Sequence, residues 1–256
     1  MNRFYLPLVL LAVTTAMVSA DDRPNFLVIM VDDMGFSDPG CYGGEVDTPH
    51  LDQLAANGLR FTQFYNTARC WPSRAALMTG RYPHEAGHAM MYGNKAPRAY
   101  RGTTPDQGRF VSELLGPMGY RCYHVGKWHL QNRAVPRPAR GKYASPQYND
   151  SWPLGRGFHQ SYCMKSQNNF FNPNQVFEED KLVKRPGHDQ AYYATDAFTD
   201  RTIGYLKDHA KRNADEPFFL YLAHTAPHFP LHALPDDIAR HKQRYQRGWD
   251  RIRTER

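Results

Sequence analysis

The sequence predicts an α/β fold in which helices flank a largely parallel, mixed central sheet. A continuous apolar run at 25–31 and the segment 218–223 have the character of buried strands, and 120–125 also has a strand pattern. Between such segments lie helix signals, for example Thr48–Pro49 at a start and Gly58 at an end. Strands that alternate with helices are typical of a parallel sheet, because parallel strands are joined by helical crossovers.

Each element follows from its local pattern. The segment 25–31 is apolar throughout, so we expect a strand that is buried on both faces. Residues 131–174 are rich in Pro, Gly, Asn and Tyr, which predicts long surface loops of functional importance, with one strand near 158–162. The remaining elements are predicted as strands at 59–64, 120–125 and 218–223, and as helices at 49–57, 72–80, 110–115, 195–206 and 237–256.

Composition and charge narrow the class of protein. The 256 residues are 41% hydrophobic and 22% charged, which excludes disordered, collagen-like and coiled-coil proteins. The formal charge of +7 owes much to seven basic residues within 240–256, which we interpret as a solvated helix face. No basic motif is interleaved with aromatic residues, so nucleic acid is not an expected partner.

The first twenty residues have the pattern of a secretory signal peptide. Arg3 precedes a short apolar stretch at 6–18, and small residues follow at 18–20. We therefore expect a mature chain from Asp21 that is secreted or periplasmic. No later segment is apolar enough to predict stable membrane insertion.

Asp32 and Asp33 come directly after the first predicted strand. The carboxyl ends of parallel strands border the crevice in which α/β proteins bind ligands. Two adjacent carboxylates repel one another there, so a hard divalent cation is a natural companion. On its own, the pair is more typical of an N-cap or a loop on the surface.

Cys70 precedes a predicted helix. The amides and dipole of a helix N-terminus favour an anion and lower the pKa of a thiol. Arg74, one turn into this helix, is placed to stabilise an oxyanion. The other cysteines are Cys41, Cys122 and Cys163; export permits disulfides, but the four are too scattered for a disulfide framework or a zinc ribbon.

Several motifs in order resemble those of type I sulfatases, the arylsulfatase-like members of the alkaline phosphatase superfamily. Cys-x-Pro-Ser-Arg at 70–74 is followed by Leu-x-Thr-Gly-Arg at 77–81. The segments DDMG, GCYGG, TPHLD, GKWHL and APHFP match at 32–35, 40–44, 48–52, 126–130 and 226–230. The resemblance runs from Pro24 to the end of the chain and implies that residues 21–256 are the N-terminal part of such a catalytic domain.

The resemblance implies a specific chemistry. A formylglycine-generating enzyme, a partner of this family, would convert Cys70 to formylglycine, whose hydrated aldehyde attacks the sulfur of a sulfate ester. One calcium ion would be held by Asp32, Asp33 and the modified Cys70. Arg74 and Lys127 would stabilise the sulfate charge. His129 would act as the base for sulfate release, and His228 as the acid toward the leaving oxygen.

The resemblance also implies a departure. Family members carry a later Asp-Asn pair that completes the calcium site, and a second sulfate-binding lysine. The pairs at 168–169 and 236–237 lack the strand and glycine context of that motif. We therefore expect a C-terminally truncated domain and little or no turnover by the 256-residue chain alone.

Two alternative functions stay open from the sequence. One is a phosphonate or phosphate monoester hydrolase of the same superfamily, and the other is a non-catalytic protein that binds sulfated glycans. For a sulfatase, the substrate is either an aryl sulfate or a sulfated carbohydrate. Five histidines carry no assignment: His84, His88, His124, His224 and His232.

Overall fold

The computed structural model describes residues 23–90, 97–102, 104, 108–131, 151–165, 169–173, 175–183, 192–248 and 250–251. Within them the strands are β1 (Phe26–Met30), β2 (Arg121–Lys127), β3 (Gln160–Met164), β4 (Val176–Glu178), β5 (Lys181–Leu182) and β6 (Phe218–Ala223). The α-helices are α1 (Pro49–Ala56), α2 (Cys70–Thr79), α3 (Val111–Leu115), α4 (Ala194–Arg212) and α5 (Pro235–Tyr245).

The strands form one mixed sheet in the order β1-β6-β2-β3-β4-β5. The first four in this order are parallel, whereas β4 and β5 are added antiparallel. The predicted fold class is thus confirmed. Ala223 at the end of β6 pairs with Met30 on one side and Gly126 on the other, so the carboxyl ends of β1, β6 and β2 lie level.

Two apolar cores cover the two faces of the sheet. Side chains alternate between faces along β6, with Tyr221 on one side and Leu220 and Leu222 on the other. The first face is packed by Trp71 and Met78 of α2, by Phe110 just before α3 and by Trp128 just after β2. The second is packed by α4, which buries Phe198 and Tyr205 against it.

Most predicted elements are confirmed, with shifted ends. The helix predicted from residue 72 begins at Cys70, and the one predicted to end at 206 continues to Arg212. The predicted basic helix at 237–256 is α5, which ends at Tyr245 and buries none of its residues. Predictions for residues 1–20, for 132–150 of the loop region and for 252–256 lie outside the described residues.

The prediction that β1 is buried on both faces is wrong. Leu27 and Ile29 are 47% and 52% exposed. The reason is position, since β1 pairs only with β6 among the described residues and stands at the sheet's edge. An apolar strand sequence indicates that a strand is suited to burial, but it does not determine how much of it is covered.

The prediction of a strand at 59–64 is also wrong. Residues 59–69 have no regular structure, and Leu59 and Phe64 are 89% and 74% exposed. A strand is stable only when its amides and carbonyls pair with a neighbour. Within the described ranges no strand lies beside this segment. The apolar pattern at 59–64 therefore does not produce a strand, because no neighbouring strand pairs with it.

The structure also bears on the expectations about disulfides and about membrane insertion. All four cysteines are free thiols, and burial raises the pKa of Cys122 to about 12. The pKa of Cys163, which is also buried, is raised as well. Of the helices in the described ranges, none combines the length and the apolar character that a bilayer-spanning segment requires.

We predict opposite effects of two glycine substitutions. At Gly126, which has φ 105°, an added Cβ would meet the Ala223 carbonyl oxygen at 2.0 Å, whereas at Gly204 in α4 it meets nothing within 4 Å. Gly126→Ala should lower the free energy of unfolding by about 2–4 kcal/mol. Gly204→Ala should raise it by about 0.5–1 kcal/mol. Urea denaturation of both variants checks the pair; a neutral Gly126→Ala would contradict the close strand packing.

We also predict loss of stability in mild acid. Burial lowers the pKa of His88 to about 4 and of His124 to about 3, so both are neutral in the fold but protonate near pH 6.5 when unfolded. Protons therefore favour the unfolded chain as the pH falls from 6.5 to about 4. The free energy of unfolding should decrease by up to about 1.4 kcal/mol per pH unit for each histidine. His124→Gln should make this dependence shallower in denaturation curves recorded across that range; an unchanged slope would exclude His124 as a source.

Candidate functional site

The predicted site residues meet at the carboxyl edge of the sheet. Asp32 and Asp33 follow β1, Lys127 ends β2, and His228 lies in the loop after β6. Two backbone hydrogen bonds connect these loops. The amide of Asp32 donates to Ala226 O at 3.1 Å, and the amide of His224 donates to Met30 O at 2.8 Å. The parallel register thus brings together residues that lie far apart in the chain, such as Asp32 and Ala226.

Asp32 is the centre of a buried charge cluster. Its side chain is 4% exposed, and one carboxylate oxygen accepts a hydrogen bond from Lys127 Nζ. The other oxygen lies 3.5 Å from Arg74 Nη2. Arg74 and Lys127 are themselves fully buried. Two cations share one carboxylate, so the cluster has an excess of positive charge that favours an anion beside it.

The protonation of Lys127 reflects this environment. Burial lowers its pKa most, and Arg74 acts in the same direction. Asp32 and Cys70 oppose the shift. Cys70 begins the helix that carries Arg74, and Arg74 contacts Asp32, so Cys70 lies one helical turn from a member of the cluster.

Arg74 is held by a residue that sequence reasoning misses. Its Nη1 donates to the backbone oxygen of Lys127 and to the hydroxyl of Tyr221, both at 3.0 Å. The Tyr221 hydroxyl in turn lies 3.2 Å from the Met30 sulfur. A tyrosine within the apolar segment 218–223 has the pattern of a core residue. The available signal was its hydroxyl, since a buried hydroxyl requires a polar partner.

Cys70 is the first residue of α2 rather than the residue before it. Arg69 is the N-cap, and no side chain caps the helix. The first amides of α2 and its dipole therefore favour negative charge at this end. Cys70 is partly exposed, whereas Trp71, Pro72 and Arg74 are buried. The nucleophile candidate is thus accessible on a firmly packed helix.

Asp33 and His228 form a second, more exposed pair. His228 Nε2 lies 3.4 Å from Asp33 Oδ2, and the Asp33 side chain is 57% exposed. Asp33 has a left-handed backbone with φ 64°. His129, two residues after β2, has the same strained conformation with φ 59°. Non-glycine residues in this region are concentrated at functional sites, because surrounding contacts must maintain them.

The proposed calcium ligands are of the chemical type that Ca²⁺ prefers, but they are fewer than the ion takes. Carboxylate oxygens are the donors that Ca²⁺ prefers, and it takes six to eight of them. One oxygen of Asp32 is already paired with Lys127, which leaves Asp33 with the more accessible carboxylate. In the part of the chain that the structure describes, no three His, Cys, Asp or Glu side chains group closely enough to hold a metal. The metal assignment therefore stays a prediction.

Comparison with known proteins establishes the family. The sulfatase family model matches residues 24–255, and the chain belongs to the sulfatase family. The arylsulfatase of Klebsiella aerogenes is 29% identical over 255 residues, which covers 94% of this chain and 51% of that protein. The N-acetylgalactosamine-6-sulfatase of Sus scrofa is 34% identical, with coverage of 91% and 45%.

A solved structure agrees with this assignment. The crystal structure of Ps i-CgsB in complex with k-i-k-neocarrahexaose has a TM-score of 0.67 and 30% identity to this chain, with coverage of 85% of this chain and 48% of that one. The neighbours are sulfatases of alkaline-phosphatase-like fold, which confirms the predicted architecture. The chain spans about half the length of the curated relatives it matches.

The two aspartates should differ in their effect on stability. Asp32→Asn leaves Lys127 and Arg74 buried without their counter-charge, so the free energy of unfolding should fall by about 3–5 kcal/mol. Asp33→Asn should change it by less than about 0.5 kcal/mol, because the side chain is exposed and asparagine tolerates positive φ. Urea denaturation measures both; equal effects would contradict the separation of the two carboxylates.

Proposed function

We propose that this chain supplies the nucleophile and the anion-binding half of a site that hydrolyses sulfate esters. The single observation that carries the proposal is the buried Asp32–Lys127–Arg74 cluster, two cations on one carboxylate, with Arg74 one turn after Cys70 on α2. A sulfate ester is an anion, and it gains negative charge on its leaving oxygen as the bond to sulfur breaks. Pre-oriented cations stabilise such charge without reorganising in the reaction.

Each residue has a role that its position supports. Lys127 and Arg74 bind and orient the sulfate group. Residue 70, at the dipole-favoured end of α2, would be the nucleophile once a maturation enzyme has oxidised it to formylglycine, because the hydrated aldehyde carries two hydroxyls. One would attack sulfur as the alcohol leaves, and the other would lose its proton as sulfate is expelled and the aldehyde reforms. His228, whose Nε2 lies 3.4 Å from Asp33 Oδ2, donates a proton to the leaving oxygen. His129 removes a proton to release sulfate.

A calcium ion completes the proposed chemistry. Asp32, Asp33 and the modified Cys70 would hold it together with further oxygen ligands, and when bound it supplies positive charge at the sulfate oxygens. We also propose export through residues 1–20, which would place the protein in a secreted or periplasmic compartment where calcium is available.

The substrate class follows from relatives and site together. The relatives include an arylsulfatase, an N-acetylgalactosamine-6-sulfatase and a structure with a bound neocarrahexaose. A sulfate ester is common to the first two names, so we propose a sulfate ester of a carbohydrate or a phenol. The family match gives no support to a phosphoester hydrolase or to a pure glycan binder.

The first test is the chemical state of residue 70. The protein is expressed from its own gene with a formylglycine-generating enzyme, and the peptide that contains position 70 is analysed by mass spectrometry. We expect replacement of the thiol by an aldehyde that reacts with hydrazides. Cys41, in the same chain, is the internal control and should remain a thiol. An unmodified Cys70 in a host that processes other sulfatases would contradict the proposal.

The second test is turnover by the same modified protein. With calcium present, we expect little or no hydrolysis of an aryl sulfate by the modified 256-residue chain alone. In an enzyme completed with the further calcium ligands, which should hydrolyse it, Lys127→Ala should lower kcat/KM by about 10²–10³-fold. Cys70→Ala should remove nearly all activity, by about 10⁴-fold or more. An aryl phosphate and an aryl phosphonate are assayed in parallel. Faster hydrolysis of either would favour the phosphoester alternative over a sulfatase.

A further inference from the structure

The residue after the nucleophile candidate is a tryptophan that lies against two histidines. The Trp71 indole is 5% exposed. It stacks on the His129 imidazole, with ring centroids 6.0 Å apart and planes inclined by 20°. The edge of the His88 ring meets it from another direction, with centroids 5.2 Å apart. The indole thus connects the start of α2 with the loop after β2.

The indole position is fixed by its surroundings. A Cβ on Gly102, which has φ 68°, would lie 2.4 Å from Trp71 Cη2, so only glycine leaves room for the ring. The amide of Gly102 donates to Gly87 O at 2.8 Å, which anchors this backbone. His88 is held by Thr104, whose hydroxyl lies 2.9 Å from Nε2. Because burial lowers the pKa of His88 to about 4, this wall of the indole pocket is uncharged at neutral pH.

Side-chain contacts rather than strand pairing orient the His129 ring, and the stack on Trp71 is one of these contacts. His129 lies outside β2, in a left-handed conformation with φ 59°. The second side-chain torsion of histidine is broad, so a ring without neighbours samples many orientations. A general base acts only when its nitrogen is within hydrogen-bond reach of the proton it takes. A flat ring stacked on the imidazole restricts that torsion to two opposite orientations.

We propose that Trp71 is a positioning residue that orients His129 toward residue 70, a role that rests on the proposed sulfatase function. Trp71 and residue 70 are adjacent on α2, so the plane that orients the base moves rigidly with the nucleophile. Trp71 itself touches no reacting atom. Its contribution is the orientation of His129, with Gly102 and His88 as the support behind the indole.

The test compares Trp71→Phe and Trp71→Ala with Trp152→Ala. Trp152 is a core tryptophan of similar burial, whose ring packs against Phe177 at 5.2 Å between centroids. In the completed, modified enzyme we expect Trp71→Ala to lower kcat by about 10-fold or more while KM changes less than about 2-fold. Trp71→Phe should retain more activity than Trp71→Ala, and Trp152→Ala should keep both constants.

A second measurement does not depend on activity. Diethyl pyrocarbonate modifies accessible imidazoles, and mass spectrometry measures the rate at His129 alone. We expect this rate to rise severalfold in Trp71→Ala and to stay unchanged in Trp152→Ala. If the completed enzyme turns over no sulfate ester, the proposed function fails, yet the modification rate at His129 still decides the role of Trp71. An unchanged rate at His129 in Trp71→Ala would overturn the positioning role.

Gly102→Ala provides a variant that keeps the tryptophan. Its Cβ should displace the indole and so reproduce the lower kcat and the faster modification of His129. Gly248→Ala is the matched control, since Gly248 has φ 83° but open space around its Cβ position. It carries the same backbone strain without the clash. Equal behaviour of the two glycine variants in both measurements would contradict the proposal.

Discussion

The buried ion cluster around Asp32 is the interaction on which the rest of the site depends. A carboxylate that is almost inaccessible to water is stable only with cations beside it, and each buried cation likewise needs the carboxylate. The three members come from the end of β1, the end of β2 and the first turn of α2. Their mutual requirement therefore fixes how α2 docks on the sheet, and with it the place of residue 70.

Much of the fold is predictable because the sheet is parallel and central. Strand β6 has an apolar sequence that matches its burial, and β2 is also largely buried although it contains Arg121, His124 and Lys127. Prediction fails where an element depends on a neighbour that is distant in the chain. Leu59–Phe64 has a strand pattern without a strand beside it, and β1 has an apolar sequence with only one neighbour. Local patterns indicate suitability for burial, whereas pairing decides the outcome.

In the site, too, some features can be predicted from the sequence and others depend on packing. The motif at 70–74 and the segment at 126–130 identify residues whose chemistry is readable from their type and order. The sequence does not reveal which contacts a side chain in apolar surroundings makes. Tyr221 has the pattern of a core residue until its hydroxyl is seen on Arg74, and the adjacent Asp32 and Asp33 are alike in sequence but differ in burial. Sequence assigns the candidates, and packing assigns their environments.

The contact between Gly102 and Trp71 has a consequence for how related sequences diverge. The two positions share one small volume, since the indole fills the space that any side chain at 102 would need. A lineage that replaces Trp71 by a small residue releases position 102 from this constraint. A lineage that first changes Gly102 cannot keep an indole in this place. We therefore expect Trp71 to be replaced before Gly102 in related sequences.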